Sequence, residues 1–275
     1  RTRTISIAAP RGRILDRNGK ELVTNRPSLT VVADSEVEDD DVEMQLLGNL
    51  LGMPRMAVKR KIEDSSEGAQ SARPVMVDVS IRVVAYLEEH PDLFTGVTVQ
   101  ERTQRSYPYG SLAGQVLGYA GTVTSDQLAA SGTSTDEGAI EYESVDASGS
   151  VTSYSTTVDP QAGSDVLLTL DLTIQQGCES GLAHAIKVAN DLGYKDCKAG
   201  AILCMDVTNG EILGMASAPS FSPSVFVGGI SNDDWNALNS EEGMYPLINR
   251  AIQGQYCSAS TIKPLTSFAA LSNGI

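Results

Sequence analysis

Tyr256-Cys-Ser-Ala-Ser260-Thr-Ile-Lys263-Pro264 is the stretch of this 275-residue chain that says most about its fold and chemistry. Residues three apart on a helix share one face, so the side chains of Ser260 and Lys263 would lie side by side, with Cβ atoms about 5–6 Å apart. If burial lowers the pKa of a lysine from its usual value of about 10.4, its amine can accept the proton of a serine hydroxyl. Ser260 and Lys263 are therefore the candidate nucleophile and base of an acyl-transfer site.

Pro264 predicts where the helix begins. Proline lacks an amide hydrogen and clashes inside a helix, but it is tolerated in the first turn, whose amides have no intrahelical partner. We therefore expect a helix that starts at about Ser260 or Thr261. The Ser260 hydroxyl would then lie at the positive end of the helix dipole, where an oxyanion is stabilised. A bare Ser-x-x-Lys also occurs by chance about once in a chain of this size, so the rest of the sequence must decide.

The residues before this stretch predict a mixture of strands and one long helix. The apolar run 166–170 indicates a buried strand, and 173–192 has the length and pattern of a long helix. Residues 199–207 and 211–216 predict two strands joined across Asn209-Gly210, because both positions of such a tight turn favour positive φ. This half of the chain therefore predicts an α/β unit.

The first 163 residues predict hairpins and short helices instead. Asn18-Gly19 between alternating apolar and polar residues predicts a hairpin. Residues 40–63 predict two helices separated at Gly52 and Pro54, and 79–90 predict a third. The remaining predicted elements are strands at 30–33 and 97–100, a turn followed by a short apolar helix at 105–118, and loops with exposed strands over 132–163.

Composition and charge exclude several classes of function. The sequence is 41% hydrophobic and 20% charged, and it contains no apolar run long enough to span a bilayer. The net charge of −15 argues against nucleic-acid binding, which needs Lys and Arg to neutralise phosphates. It also argues against an anionic lipid surface as the main partner.

The cysteines and histidines do not predict a metal site. Cys178, Cys197, Cys204 and Cys257 share no metal-ligand spacing, and the chain has only two histidines. We therefore expect neither a metal nor a cofactor. One disulfide is possible if the protein is exported, although the sequence does not determine which cysteines would pair. At least two of the cysteines are interpreted as small packing residues.

Several spaced motifs accompany the serine and lysine. In the first half these are Arg11-Gly-Arg-Ile-Leu-Asp16-Arg17-Asn-Gly19, then Arg105-x-Tyr107-Pro108-x-Gly110-x-Leu-Ala-Gly-x-Val-Leu-Gly118, then Gly138-Ala-Ile-Glu141. In the second half they are Leu168-Thr-Leu-Asp171 with Gln175, the stretch 201–206, Gly210-Glu-Ile-Leu-Gly-Met-Ala216-Ser217-x-Pro219, and Asn249-Arg250-Ala-Ile before the serine.

Together these motifs resemble class B penicillin-binding proteins, the monofunctional D,D-transpeptidases that cross-link peptidoglycan. The resemblance covers nearly the whole chain, and several motifs in the family's order are far more specific than any one of them. It implies that Ser260 is the acyl-accepting nucleophile and Lys263 its basic partner. The substrates that it implies are peptidoglycan stem peptides ending in D-Ala-D-Ala, with β-lactams as covalent mimics.

The resemblance also implies an α+β fold in two domains. Residues 1–163 would form an extended non-catalytic pedestal of β-hairpins and short helices, with a helical insert at about 40–90. Residues 164–275 would form the first part of a serine transpeptidase domain, and the polar stretch 159–163 predicts the junction. The implied location is the extracytoplasmic face of a bacterial membrane, with an N-terminal anchor helix not present in this sequence.

The sequence departs from the family pattern near the serine. Cys257-Ser258-Ala259 stands where the family usually has Pro-Pro-Gly or Pro-Gly, and alanine adopts positive φ less freely than glycine. The family's Ser-x-Asn and Lys-Thr/Ser-Gly motifs do not follow Lys263. Because loss of oxyanion stabilisation alone costs about 10²–10³ in rate, we expect an inactive fragment that reacts with β-lactams slowly or not at all.

Alternative functions stay open at this point. The chain could be a non-catalytic scaffold whose first 160 or so residues dock a polytopic membrane glycosyltransferase of the cell-wall synthesis complex. A β-lactam-sensing receptor is a weaker alternative, because such receptors are not expected to carry the N-terminal motifs. The helical insert at 40–90 favours an elongation role over a division role.

Overall fold

The chain forms two compact units in the computed structural model. The structure describes residues 2–7, 10–64, 72–120, 139–145, 151–156, 162–257 and 259–274. Unit 1 contains Arg1–Gly110, Gly118–Thr169 and Ser222–Ser231, and unit 2 contains Ser111–Leu117, Leu170–Phe221 and Asn232–Ile275. Each unit therefore includes a segment that lies within the other unit's part of the sequence.

In the described residues, unit 1 is built from three helices and from strands of 2 to 13 residues. Its strands are β1 (Thr2–Ile7), β2 (Ile14–Leu15), β3 (Glu21–Ala33), β4 (Arg73–Met76), β5 (Val97–Ser106), β6 (Ala139–Val145), β7 (Val151–Thr156) and β8 (Val166–Leu167). Its helices are α1 (Asp41–Leu51), α2 (Arg55–Glu63) and α3 (Ile81–Glu89), with 3-10 turns at Ser35–Asp39 and Pro223–Phe226. One sheet has the order β1-β6-β7, and the other has the order β4-β3-β2-β8 with β5 also paired to β3.

The helices of unit 1 begin and end where the sequence predicts. The Asp40 carboxylate accepts the amides of Val42 and Glu43 at 2.9 Å and so caps α1. Gly52 ends that helix with a φ of 68°, and Pro54 precedes α2. Both helices bury their apolar stripes against the sheet, in a core that contains Val31, Ala33, Val37, Met44, Leu47, Val58, Ile62, Val75, Val84, Leu87, Phe94 and Val97. The two predicted helices of residues 40–63 are confirmed.

The predicted hairpin at Asn18-Gly19 is confirmed, but its turn differs from the expected one. Strands β2 and β3 pair antiparallel across it, and Gly19 has a φ of 81°. Asn18 does not adopt a positive φ. The buried Asp16 carboxylate accepts the amides of Asn18 and Lys20, both at 2.8 Å, and this side chain organises a longer turn than the sequence suggested.

The predicted buried strand at 166–170 is wrong. Strand β8 is only two residues long, and Val166 and Leu167 are 50% and 65% exposed. It pairs in parallel with β2 as the last strand of its sheet, and the exposure of two successive side chains means that neither face of the sheet is covered at this strand. Leu170 alone in this run is fully buried. Gly138 of the third motif, and residues 159–161 of the predicted junction, lie outside the described residues.

Unit 2 is a hairpin covered on one face by a long helix. Its elements are α4 (Gly114–Leu117), α5 (Leu172–Asp191), β9 (Gly200–Met205), β10 (Ile212–Ala218), α6 (Asn232–Leu238), α7 (Arg250–Gln253), a 3-10 turn (Ala259–Ile262) and α8 (Lys263–Ser272). Asp171 caps α5 by accepting the amides of Thr173 at 2.9 Å and Ile174 at 3.2 Å. The predicted long helix and second hairpin are confirmed, although only Gly210 of the predicted Asn209-Gly210 turn has a positive φ. The described elements agree with the expected α+β fold.

The core of unit 2 lies between α5 and the hairpin. Cys178, Leu182 and Ala216 are buried there, and Ile174, Ile186, Ile202, Cys204 and Ala218 pack around them. Gly214 brings β10 close to the helix, because a Cβ there would lie 2.9 Å from Cys178 Sγ. None of the described helices in either unit is long and apolar enough to cross a membrane.

Candidate active site

Ser260 and Lys263 lie on either side of the point where a 3-10 turn becomes a helix. Ser260 belongs to the turn Ala259–Ile262, and Lys263 is the first residue of α8. Pro264 is in the first turn of that helix, as its missing amide hydrogen predicts. Ser260 and Lys263 are thus three residues apart across this junction, a spacing at which side chains are neighbours in both 3-10 and α-helical geometry.

The surroundings of this pair are open in the part of the chain that the structure describes. Ser260 and Lys263 are both exposed, and no residue of α8 is buried. Leu265, Phe268 and Leu271 of that helix are 69%, 72% and 75% exposed. The described residues therefore place a hydroxyl and an amine at the start of α8, and the burial expected for Lys263 is not observed among them.

The segment that leads to Ser260 is held by Asn249 and Arg250. The Asn249 side chain accepts the amide of Ala251 at 3.1 Å and so caps α7. The guanidinium of Arg250 is buried and donates to the carbonyl oxygens of Met244 and Tyr245. Both of those residues have positive φ, 58° and 49°. Arg250 thus stabilises an otherwise unfavourable turn just before the helix.

Ser217 attaches this segment to the end of β10. Its hydroxyl accepts the backbone amide of Arg250 at 3.1 Å and donates to the carbonyl of Ile248 at 3.1 Å. Next to it, the Asn249 side-chain amide approaches Met215 Sδ at 3.3 Å. We call residues 246–257, which lead to Ser260, the lead-in segment. Alternate residues of β10 therefore face the lead-in segment, and the others face α5.

Two glutamines make further contacts within unit 2. The buried Gln175 of α5 accepts the amide of Met215 at 2.7 Å and donates to its carbonyl at 2.9 Å, as a neighbouring strand would. Gln175 also donates to Glu179, whose carboxylate accepts the amide of Ala113 at 2.7 Å. Gln115 donates to backbone carbonyls beyond β10. Gln115 stands among small and apolar residues, and Gln175 was part of a predicted motif, but the partners of neither glutamine could be read from the sequence.

A groove of about 440 Å³ borders the lead-in segment. It lies between β9 and α7, and its lining residues are Gly200, Ala201, Leu203, Arg250, Ala251, Gly254 and Tyr256. Its lining is polar and apolar in nearly equal parts, and it is a cleft next to the segment that leads to Ser260.

The cysteines of the described residues are all free thiols, and Cys257 is exposed close to Ser260. Burial raises the pKa of the Cys178 thiol, and the neighbouring Cys204 raises it further. Within the described ranges, no group of three or more His, Cys, Asp or Glu side chains could hold a metal ion.

Comparison with known sequences identifies relatives for both halves. Residues 6–147 match the family described as penicillin-binding protein dimerisation domain, and residues 200–275 match the penicillin-binding protein transpeptidase domain. The peptidoglycan D,D-transpeptidase MrdA of Escherichia coli is 32% identical over 304 residues, which cover 100% of this chain and 46% of the relative. The chain therefore spans about half the length of the curated relatives that it matches.

Solved structures give the same picture of the fold. A complex between the penicillin-binding protein PBP2 and MreC from Helicobacter pylori matches with a TM-score of 0.73 at 24% identity, over 99% of this chain and 53% of that one. A peptidoglycan synthase complex, described for its coordination of polymerization and crosslinking, matches with a TM-score of 0.65 at 30% identity, over 100% of this chain and 49% of that one.

Proposed function

The chain belongs to the penicillin-binding proteins, with a dimerisation domain followed by transpeptidase sequence, and on this premise we propose that the protein is a serine-type peptidoglycan D,D-transpeptidase. The family membership confirms the resemblance stated from the motifs. The observation that carries the proposal is the position of Ser260 and Lys263 at the start of α8, inside the matched transpeptidase span.

In the proposed reaction, Ser260 Oγ attacks the carbonyl carbon of the penultimate D-Ala of a stem peptide. Lys263 accepts the hydroxyl proton and passes it to the nitrogen of the terminal D-Ala, which leaves as an amine when the peptide bond breaks. The amine of a neighbouring stem peptide then attacks the Ser260 ester, which releases the serine and forms the cross-link. The same ester would form with a β-lactam, whose ring nitrogen is the leaving group but stays attached to the acyl group.

The lead-in segment supports this assignment through pre-organisation. Hydrogen bonds from Ser217 and Arg250 fix residues 244–250, which precede the nucleophile along the chain. A nucleophile is effective when its supporting segment holds it close to the productive geometry. The described contacts provide that support up to α7.

We place the protein in a cell-wall synthesis complex at the extracytoplasmic face of the membrane, with an elongation role. Support comes from the relatives: the PBP2 of Helicobacter pylori was solved with MreC, and the second structure is a peptidoglycan synthase complex. A polytopic glycosyltransferase is the partner that we propose for the pedestal. A scaffold without catalysis is not favoured, because residues 200–275 match a transpeptidase domain.

Labelling of the full-length gene product with a fluorescent penicillin tests the enzymatic proposal. We expect one label per molecule, found on the peptide that contains Ser260. Ser260→Ala should abolish the label, and Lys263→Gln should slow it by about 10²–10⁴-fold. Ser267→Ala, an exposed serine of the same helix, is the matched control. Stoichiometric labelling of the Ser260→Ala variant would overturn the proposal.

The 275-residue chain alone should behave differently. Because Ser260 and Lys263 are exposed and α8 has no buried residue, we propose that this chain is labelled slowly or not at all. Rapid stoichiometric labelling of this chain at Ser260 would contradict that statement without affecting the assignment of the nucleophile.

A further inference from the structure

Gln115 uses its whole side-chain amide to join separate parts of unit 2. Its Nε2 donates to Pro246 O at 2.9 Å and to Pro219 O at 3.0 Å, and Ser217 O lies at 3.4 Å. Its Oε1 accepts the hydroxyl of Ser220 at 3.2 Å. A primary amide has two N–H donors and one carbonyl acceptor, so both ends of this group are occupied.

The backbone around Gln115 is itself fixed. The amide of Ala113 donates to Glu179 of α5 at 2.7 Å, and Ala113 has a φ of 52°. At Gly114 a Cβ would collide with the carbonyl oxygen of Phe221, so the segment runs in direct contact with the chain beyond β10. The Gln115 amide is therefore presented from a rigid support and not from a mobile loop.

The carbonyls that Gln115 binds lie just after β10 and at the start of the lead-in segment. Pro219 follows the end of β10, and Pro246 is three residues before Asn249, the cap of α7. Ser217 joins the same two regions through Arg250. The lead-in segment thus has two separate attachments to the exit of β10, and Gln115 provides the earlier one.

We propose that Gln115 is a positioning residue for Ser260, because its amide fixes the start of the lead-in segment relative to β10. This inference rests on the proposed function, since it assigns Gln115 an effect on acylation. Gln115 touches neither the substrate nor the reacting atoms. It acts through Pro246 and the described residues 246–257, which precede the serine.

Two substitutions at Gln115 remove its hydrogen-bond donors in different ways. Glutamate has the shape of glutamine but no donor, so in Gln115→Glu a carboxylate would face carbonyl oxygens in place of the N–H groups. Gln115→Met keeps the length and removes every hydrogen bond without adding charge. Gln45, an exposed glutamine of α1 that donates to Asn49 at 3.0 Å, provides the matched control Gln45→Glu.

The experiment measures the acylation of the full-length gene product by a fluorescent penicillin at several concentrations. This separates the first-order acylation rate from the apparent affinity of the initial complex, and thermal melting of each variant is recorded beside it. We expect Gln115→Glu and Gln115→Met to slow acylation by about 10–100-fold, with little change in apparent affinity. The melting temperature should stay within a few degrees, and Gln45→Glu should match the wild type in every measurement.

Each other outcome overturns a defined statement. If the folded Gln115 variants acylate at the wild-type rate, the positioning role is wrong and the proposed function stands. If the rate falls only in proportion to the unfolded fraction, or neither variant folds, Gln115 has a structural role only and the inference is overturned. If the wild type is not labelled at Ser260, the proposed function itself fails, and the inference fails with it.

Discussion

The backbone amide of Arg250 donates to the hydroxyl of Ser217 across 3.1 Å, and both residues are buried. The same hydroxyl donates to Ile248 O at 3.1 Å, so one small side chain holds two nearby points of the segment that leads to Ser260. A buried amide that loses its acceptor keeps the full cost of desolvation. Loss of this one hydroxyl would therefore leave a buried amide without its acceptor in this segment.

Ser217→Ala should lower the free energy of unfolding by about 1–3 kcal/mol, because the Arg250 amide and the Ile248 carbonyl would both lose their partner. Urea denaturation followed by circular dichroism measures this change. Ser35→Ala, at an exposed serine of unit 1, should alter the unfolding midpoint very little. Equal midpoints for Ser217→Ala and the wild type would contradict the proposed attachment.

Cys178 should react with alkylating reagents much more slowly than Cys257. Burial raises the pKa of the Cys178 thiol, so less of the reactive thiolate is present near pH 8, and the side chain lies in the core of unit 2. Cys257 is exposed. Iodoacetamide labelling followed by peptide mass analysis gives both rates. In denaturant the two rates should become similar, and equally fast labelling of Cys178 in the native protein would refute its burial.

The stabilising contribution of Asp165 should be lost in acid. Hydrogen bonds from the Arg13 side chain hold the pKa of Asp165 below its usual value, which is about 3.9 in an unfolded chain. Because the folded pKa is the lower one, this contribution is fully present above that value and is lost as pH falls through the folded pKa. Asp165→Asn should therefore lower the melting temperature at pH 7, and the difference from the wild type should shrink below pH 4.

The control for this prediction is Asp92→Asn, at an exposed aspartate of the same unit. Its melting temperature should follow that of the wild type from pH 7 to pH 3. An Asp165→Asn variant with the wild-type pH profile would show that the pair with Arg13 does not stabilise the fold.

Two glycines of unit 2 should respond to alanine in opposite directions. Among the described residues nothing lies within 4 Å of a Cβ at Gly177, so alanine there should raise the free energy of unfolding by up to about 1 kcal/mol through helix propensity. At Gly214 a Cβ would lie 2.9 Å from Cys178 Sγ, and overpacking should cost about 1–3 kcal/mol.

A double variant separates steric from other effects at Gly214. Cys178→Ala removes the sulfur that the new methyl group would meet, so Gly214→Ala should cost less in that background than in the wild type. Urea midpoints of the four proteins give the coupling. Additive effects would mean that the sulfur is not the obstacle.

Local patterns in the sequence predicted the elements that carry their own start and stop signals. Asp40 and Gly52 limit α1 as expected, and the turn that includes Gly210 closes the second hairpin. The exposure of β8 was missed, because an apolar run shows its composition and not which strand will be the last of a sheet. The sequence predicted a helix that starts at about Ser260 or Thr261. The structure has a 3-10 turn at this point, and the α-helix begins at Lys263.

The contacts that support the lead-in segment could not be read from the sequence. Gln115 and Pro246 are far apart along the chain, and no period or turn signal connects them. The same holds for Glu179, which accepts the amide of Ala113. Such pairs result from tertiary packing, and the sequence of one chain does not show which distant residues will pack together.

Unit 2 includes Ser111–Leu117 from within the stretch that otherwise forms unit 1, and unit 1 includes Ser222–Ser231 in return. A chimera of two related genes with one crossover near residue 164 would inherit α4 from one parent and the exit of β10 from the other. Gly114 and Gln115 would then have to fit carbonyl positions set by a different sequence. Recombination that preserves this fold must therefore exchange both segments together with their units, and a simple swap of halves would not do so.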